Sequence, residues 1–174
     1  MIVGGGLAGC AAAYALAKAG VEVVVVERGP FSGSKNMTGG RLYGHSLEKL
    51  IPGFAASAPV ERLITRERLS FLTDDSATTM DFASTSLGAP VCASYAVLRA
   101  SFDQWLAEQA ENEGALFVNE IRVDDLIVRD GRVCGVHAGE DDMEAKVVLL
   151  ADGAVSLLGQ KLGITTCRMV PVLF

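Results

Sequence analysis

The stretch that decides the fold is MIVGGGLAGCAAAYALAKAGVEVVVVER, residues 1–28. Gly4, Gly6 and Gly9 spell G-x-G-x-x-G, a pattern in which each glycine has a separate physical job. Gly4 permits a tight strand-to-helix turn, Gly6 lets the backbone approach a pyrophosphate, and Gly9 lets the helix pack closely on the strand. The spacing predicts a helix over Leu7–Lys18 with Ala13 and Leu16 facing the sheet, closed by Gly20, and a strand from Val21 to Val26. Such a helix aims its N-terminal amides and positive dipole end at phosphates. Glu27, at the end of the second strand, is placed to accept hydrogen bonds from both hydroxyls of an adenosine ribose. That acid favours an unphosphorylated ribose, hence FAD or NAD over NADP.

The same opening imitates a bacterial lipidation site at Leu7-Ala8-Gly9-Cys10. Export needs a positively charged start and an apolar run before the cleavage site. Here Gly4, Gly5 and Gly6 interrupt the run, and no Lys or Arg precedes Lys18, so the export reading is set aside. No window reaches the roughly 18 uninterrupted apolar residues of a membrane span, and the chain reads as soluble and cytoplasmic. Only Met1, Ile2 and Val3 stand before Gly4, whereas strands commonly run about five or six residues. The expectation is a first strand clipped at its start.

At 174 residues, half of them apolar, the chain has the size and balance of a globular domain. A net charge of −6 and the lack of any basic run argue against a nucleic-acid partner. Cys10, Cys92, Cys134 and Cys167 form no C-x-x-C pair, so neither a zinc ribbon nor a thioredoxin-type motif is available, and all four are expected to be reduced.

Beyond Glu27 a long segment intervenes before the next parallel strand, GALFV at 114–118, which favours FAD over NAD. The sequence EIRVDDLIVRDGRVCGVHAGEDDMEAKVVLLADGA then predicts short antiparallel strands turning at Asp130-Gly131 and again within Gly139 to Asp142. The acidic group Glu140, Asp141 and Asp142 is expected in a solvated turn. Val147 to Ala151 read as a buried parallel strand that delivers Asp152-Gly153 to the edge occupied by the glycine turn. Inside the intervening segment, Ser94–Leu98 read as a strand and Ala100–Glu113 as a helix that buries Phe102, Trp105, Leu106 and Ala110. Arg99, at their junction, can meet a phosphate or a flavin edge or serve structure alone. His45 opens a short helix to Ile51 and His137 lies in the meander; both read as structural, and no metal site or Ser/His/Asp set is assembled from them. The fold expected is α/β: a Rossmann-like, glutathione-reductase-like FAD-binding domain with a parallel sheet and an antiparallel β-meander, incomplete.

Several stretches carry a family likeness: GGGLAGCAAAYALAKAGVEVVVVERG, SGSKNMTGGRLYGHSLEKLIPGF, APVERLIT, SYAVLRASFDQWLAEQAE and ADGAVSLLGQKLG. Over about residues 1 to 165 the chain resembles the amino-terminal part of the FixC-type flavoproteins. These are relatives of electron transfer flavoprotein-quinone oxidoreductase within the geranylgeranyl-reductase-like group. The resemblance implies that Gly4, Gly6 and Gly9 hold the FAD pyrophosphate and that Glu27 and Arg28 hold the adenosine end. It further implies that Arg99 touches the cofactor and that Val123 offers its backbone to the adenine. Asp152 and Gly153 would lie near the phosphates, and a loop of Thr38, Gly39 and Gly40 near the flavin ring. The implied partners are an electron-transfer flavoprotein as donor, a ferredoxin-like protein, and quinone or another acceptor, with peripheral contact to the inner membrane in a full-length protein. Residues 1–174 would be the amino-terminal part of the FAD-binding domain, with an insert at about 28–113. Relatives continue to a second flavin motif near GDAAG, and here Arg168 and Pro171 complete no further strand. Two other readings stand beside this one: a flavin-dependent reductase or monooxygenase of an isoprenoid or aromatic substrate, and a non-catalytic truncated remnant.

Overall fold

The computed structural model describes residues 1–89 and 93–164; Cys92, Cys167, Arg168 and Pro171 lie outside them. The chain opens with β1 (Ile2–Val3), α1 (Leu7–Lys18) and β2 (Val24–Val26). Then come β3 (Gly39–Tyr43), α2 (Gly44–Leu50), β4 (Val60–Leu63), β5 (Arg66–Leu72), β6 (Ala77–Ala83) and β7 (Ser94–Leu98). It continues through α3 (Arg99–Asn112), β8 (Leu116–Val118), β9 (Asp125–Arg129), β10 (Arg132–Ala138), β11 (Asp141–Glu144), β12 (Leu149–Leu150) and α4 (Leu157–Lys161). These elements fall into two compact units, one of Met37–Phe102 and one of Met1–Asn36 with the described residues from Asp103 onward.

In the unit holding the chain start, a parallel sheet runs in the order β12-β1-β2-β8. This is the Rossmann-like arrangement that the opening stretch predicts. β1 is only two residues long yet lies inside the sheet, with Ile2 and Val3 buried between Val25 and Val26 on one side and Leu149 and Leu150 on the other. Helix α1 has the predicted bounds, and Gly20 follows it at φ +78°. Its buried face differs from expectation. Ala13 is buried as predicted, and Cys10, Tyr14 and Ala17 turn inward with it at helical spacing, while Leu16 is exposed, so the seam runs through Tyr14 and Ala17 and not through Leu16.

The second strand is also shorter than predicted. Val21 is exposed and its amide donates to the Leu16 carbonyl, so the segment closes the helix before pairing begins at Val24. β12 is an edge strand of the four, with Val147 and Leu149 exposed; the expected run of Val147–Ala151 hydrogen-bonds to residues 1–3 along its length, with strand register at Leu149 and Leu150, but it is not buried throughout. The antiparallel meander β9-β10-β11 forms as predicted, turning at Asp130-Gly131. Val3, Leu126, Val136 and Leu158 make a buried cluster that joins β1, the meander and α4. The acidic group is not simply a turn: Asp141 and Asp142 lie in β11, where Asp142 pairs with His137 across the ladder.

The second unit holds a three-stranded antiparallel sheet, β3-β7-β4, and a separate two-stranded ribbon, β5-β6. β7 is the strand predicted at Ser94–Leu98, and α2 spans almost the predicted segment. The expected loop at Thr38, Gly39 and Gly40 is corrected: Gly39 and Gly40 begin β3, paired with Leu98 and Val97, and only Thr38 precedes the strand. A Cβ on Gly39 would sit 2.7 Å from the Val97 carbonyl oxygen, so glycine is what allows pairing that close. On α3, Phe102, Trp105, Leu106 and Ala110 are buried as predicted, and Gly114 follows the helix at φ +104°. Among the described residues no helix is long and apolar enough to cross a membrane.

Candidate functional site: the glycine turn and the acid at the end of β2

The three glycines of the turn are set apart by what surrounds them. Gly4 sits at φ +103°, and a Cβ there would lie 2.4 Å from the Ala151 carbonyl oxygen. Its amide donates to the Val26 carbonyl at 2.9 Å, so the turn is stitched to β2 as it leaves β1. A Cβ on Gly9 would fall 1.9 Å from the Gly4 carbonyl oxygen, which makes Gly9 the point where α1 touches the turn. Around Gly6 a Cβ would meet nothing within 4 Å. That open space lies at the N-cap of α1, where no side chain caps the helix and no acid occupies the first turn.

An α-helix leaves its first amides without intrahelical partners, and a capping side chain, water or a ligand must supply acceptors for them. Among the described residues no side chain caps this end, and the dipole end is left for an anion. The cradle therefore fits the pyrophosphate of a dinucleotide.

Glu27 stands beside this opening, just past β2. Its Oε2 accepts from the Gly5 amide at 2.8 Å and its Oε1 from the Gly29 amide at 2.7 Å. An ionised carboxylate offers about four lone-pair sites, so both oxygens keep acceptor capacity for a ligand hydroxyl. The segment after β8 runs alongside: the Ile121 amide donates to the Glu27 carbonyl at 3.0 Å and the Glu120 amide to the Gly29 carbonyl at 2.9 Å. Two residues further, Val123 is half-buried against the Val3, Leu126, Val136 and Leu158 cluster. Arg28 is exposed.

Asp152 and Gly153 follow β12, immediately beyond the Ala151 that abuts Gly4. The Asp152 carboxylate accepts from the Leu158 amide at 3.2 Å, so it caps the start of α4. One unit thus brings Gly4, Gly6, Gly9, Glu27, Arg28, Val123, Asp152 and Gly153 to the elements around the carboxyl ends of the parallel strands, where ligands of such sheets bind. The other unit holds Thr38, Gly39, Gly40 and Arg99. There the Arg99 amide donates to the Thr38 carbonyl at 3.2 Å, closing the end of the β3-β7 pair.

Residues 1–166 match the sequence family described as Glucose inhibited division protein A. The chain belongs to this family. The chain is 59% identical over 163 residues to Protein FixC of Shigella flexneri, covering 94% of this chain and 38% of that protein. It is 56% identical, with the same coverages, to the probable electron transfer flavoprotein-quinone oxidoreductase YdiS of Escherichia coli strain K12. The chain therefore spans about two-fifths of the length of the curated relatives it matches, 38% in both cases. A solved structure of a geranylgeranyl bacteriochlorophyll reductase-like protein from Thermoplasma acidophilum superposes with a TM-score of 0.74 at 27% identity, over 91% of this chain and 40% of that one.

Other residues around the turn were not singled out from the sequence. Gly5 is buried, and a Cβ on it would lie 2.7 Å from Ser32 Oγ. Gly29 is equally confined, its Cβ position 2.2 Å from Ser34 Oγ. The Ser34 hydroxyl is buried with no hydrogen-bond partner among the described residues. Asp103 is fully buried on α3 and accepts from Asn36 at 2.8 Å, which ties the loop after β2 to that helix. The available signals were Gly5, set between two motif glycines, and the Gly29 after Glu27, since glycine is the residue that tolerates close approach to the backbone.

Proposed function

We propose that this chain is the FAD-binding part of an oxidoreductase that passes electrons from an electron-transfer flavoprotein toward quinone or another acceptor. The observation that carries the reading is the uncapped start of α1, with open space at Gly6, in a chain 59% identical to FixC. A bound FAD supplies the redox chemistry, and the protein supplies binding, orientation and electrostatics.

In this reading Gly4, Gly6 and Gly9 admit the pyrophosphate, and the first amides of α1 donate to it. Glu27 uses its spare lone pairs on the adenosine ribose, with Arg28 at the same end, and the backbone of Val123 takes the adenine. Asp152 and Gly153 border the phosphates. Thr38, Gly39, Gly40 and Arg99 are assigned to the flavin end. The donor is proposed from the name of YdiS, the quinone likewise, and the ferredoxin-like partner and inner-membrane contact from the FixC-type resemblance. A second reading, a flavin-dependent reductase of an isoprenoid substrate, is favoured by the likeness to the geranylgeranyl bacteriochlorophyll reductase-like structure.

The first test is titration of the purified chain with FAD, followed by flavin fluorescence, beside Gly6→Val. A Cβ at position 6 meets nothing within 4 Å among the described residues, so the variant is expected to keep the wild-type thermal midpoint while losing FAD affinity more than tenfold. Equal affinity in the two proteins overturns the assignment of the turn. No binding by the wild type overturns the reading of this chain as sufficient to hold FAD. Reduction of bound flavin by an electron-transfer flavoprotein, and not by a nicotinamide, separates the first enzyme reading from the second.

A further inference from the structure

Cys10 has no task in the cofactor reading, although it is fully buried beside the glycine turn. Its sulfur lies 3.2 Å from the Gly5 carbonyl oxygen. The Ser32 hydroxyl, on a buried side chain, lies 3.8 Å from the same sulfur. Gly5 is therefore held at both of its backbone groups, the amide by Glu27 Oε2 at 2.8 Å and the carbonyl by the Cys10 thiol. Its α-carbon is confined as well, by Ser32 and by Glu27 Cβ, which a Cβ at position 5 would meet at 3.2 Å.

A trans peptide is planar, with its C=O and N–H pointing in opposite directions, and the described chain contains no cis bond. Fixing the Gly5 carbonyl against the inward-facing thiol thus fixes the Gly6 N–H on the opposite side of the same plane. No described residue accepts from that N–H, and Gly6 faces open space. We propose that Cys10 is a positioning residue that, together with Glu27, locks the Gly5–Gly6 peptide so that the Gly6 amide is aimed in advance at the pyrophosphate. The role rests on the FAD reading for its ligand, but the lock itself is a property of the free protein. Burial pushes the thiol up to about 12, so the sulfur keeps its proton and remains a donor throughout the neutral range.

Cys10→Ser retains a donor of nearly the same size, whereas Cys10→Ala removes it. Loss of one hydrogen bond predicts FAD binding weakened about fivefold in Cys10→Ala, with Cys10→Ser within about twofold of wild type. Equal affinity in Cys10→Ala and wild type overturns the proposal. So does equal weakening in both variants, which is the signature of packing alone. A second readout needs no ligand: the backbone ¹⁵N–¹H resonance of Gly6 in the free protein. It should be single and sharp in wild type and Cys10→Ser, and shifted or broadened by exchange in Cys10→Ala. An unchanged Gly6 resonance in Cys10→Ala overturns the lock even if the chain binds no FAD, while failure of wild type to bind FAD with the resonances behaving as expected overturns only the cofactor reading.

Discussion

Gly6 and Gly9 belong to one motif but resist substitution for opposite reasons. Gly6 is bordered by space, so a side chain there would collide only with the pyrophosphate of the proposed FAD; Gly9 is bordered by the Gly4 carbonyl 1.9 Å from where a Cβ would stand. Gly9→Ala must therefore push α1 away from β1, an overpacking that costs about 1–3 kcal/mol. The expected outcome is a lower urea midpoint with the slope unchanged, in contrast to the unperturbed midpoint of Gly6→Val. Cys10 gives a pH dependence. In the unfolded chain a thiol ionises near 8.5, and in the folded protein burial holds it up to about 12. Above the lower value the folded state keeps a proton that the unfolded state has released, so the contribution is complete at neutral pH and declines as pH rises. Between about pH 9 and 11 wild type should lose stability by up to about 1.4 kcal/mol per unit from this group, and Cys10→Ser should show a correspondingly flatter profile. Parallel profiles would mean that the thiol is not held protonated. The turn at Gly4 and the close packing at Gly9 were legible in the sequence because turn geometry is local. The roles of Gly5, Cys10 and Ser32 were not, because they arise where α1, β2 and the following loop converge.

The ribbon of β5 and β6 shows what alternation does without a core. Its register places Arg66, Arg68, Asp81, Ser70 and Thr79 on one face, where Asp81 pairs with Arg66 at 2.5 Å and Arg68 at 2.8 Å and Ser70 bonds Thr79 at 2.9 Å. Both arginines hold the Asp81 carboxyl well below the usual carboxylate range. The other face carries Leu69, Phe71, Met80 and Phe82, each more than half exposed. A contiguous exposed apolar face of this kind promotes association, so Phe71→Ser with Phe82→Thr should lower binding of a hydrophobic dye and raise the concentration at which the chain aggregates. Because neither side chain is packed in the described structure, the thermal midpoint should stay within about 2 °C of wild type, in line with surface substitutions of about 0.5 kcal/mol or less. A large drop would show that the face is packed in solution. These strands are not legible in the sequence: RERLSFL and ATTMDFA mix charged and apolar residues, and even in the paired ribbon Glu67 shares the face of Leu69 and Phe71 while Leu72 lies on the arginine face.

At the scale of the molecule, the described residues form two compact units, Met37–Phe102 falling inside the segment that the sequence marks as an insert at about 28–113. The opening 28 residues determined the essentials by themselves: a strand, a glycine turn, a helix with the observed bounds, and an acid at the end of the next strand. These are local properties, fixed by glycine's conformational range, helical periodicity and the spacing between motif positions. They were sufficient to predict a parallel sheet with the turn at the carboxyl ends of its strands. The meander turn at Asp130-Gly131 was legible for the same reason. What only the tertiary structure decided depends on partners distant in the chain. The inward face of α1 follows from what packs against it, so Tyr14 is buried and Leu16 is not. Gly39 and Gly40 became strand because β7, more than fifty residues away, supplies their hydrogen bonds. The two-residue β1 holds an interior position because β2 and β12 complete it from both sides. A sequence specifies which backbone shapes are affordable at each residue; which of them is adopted is settled by hydrogen bonds and burial that form only when distant segments meet.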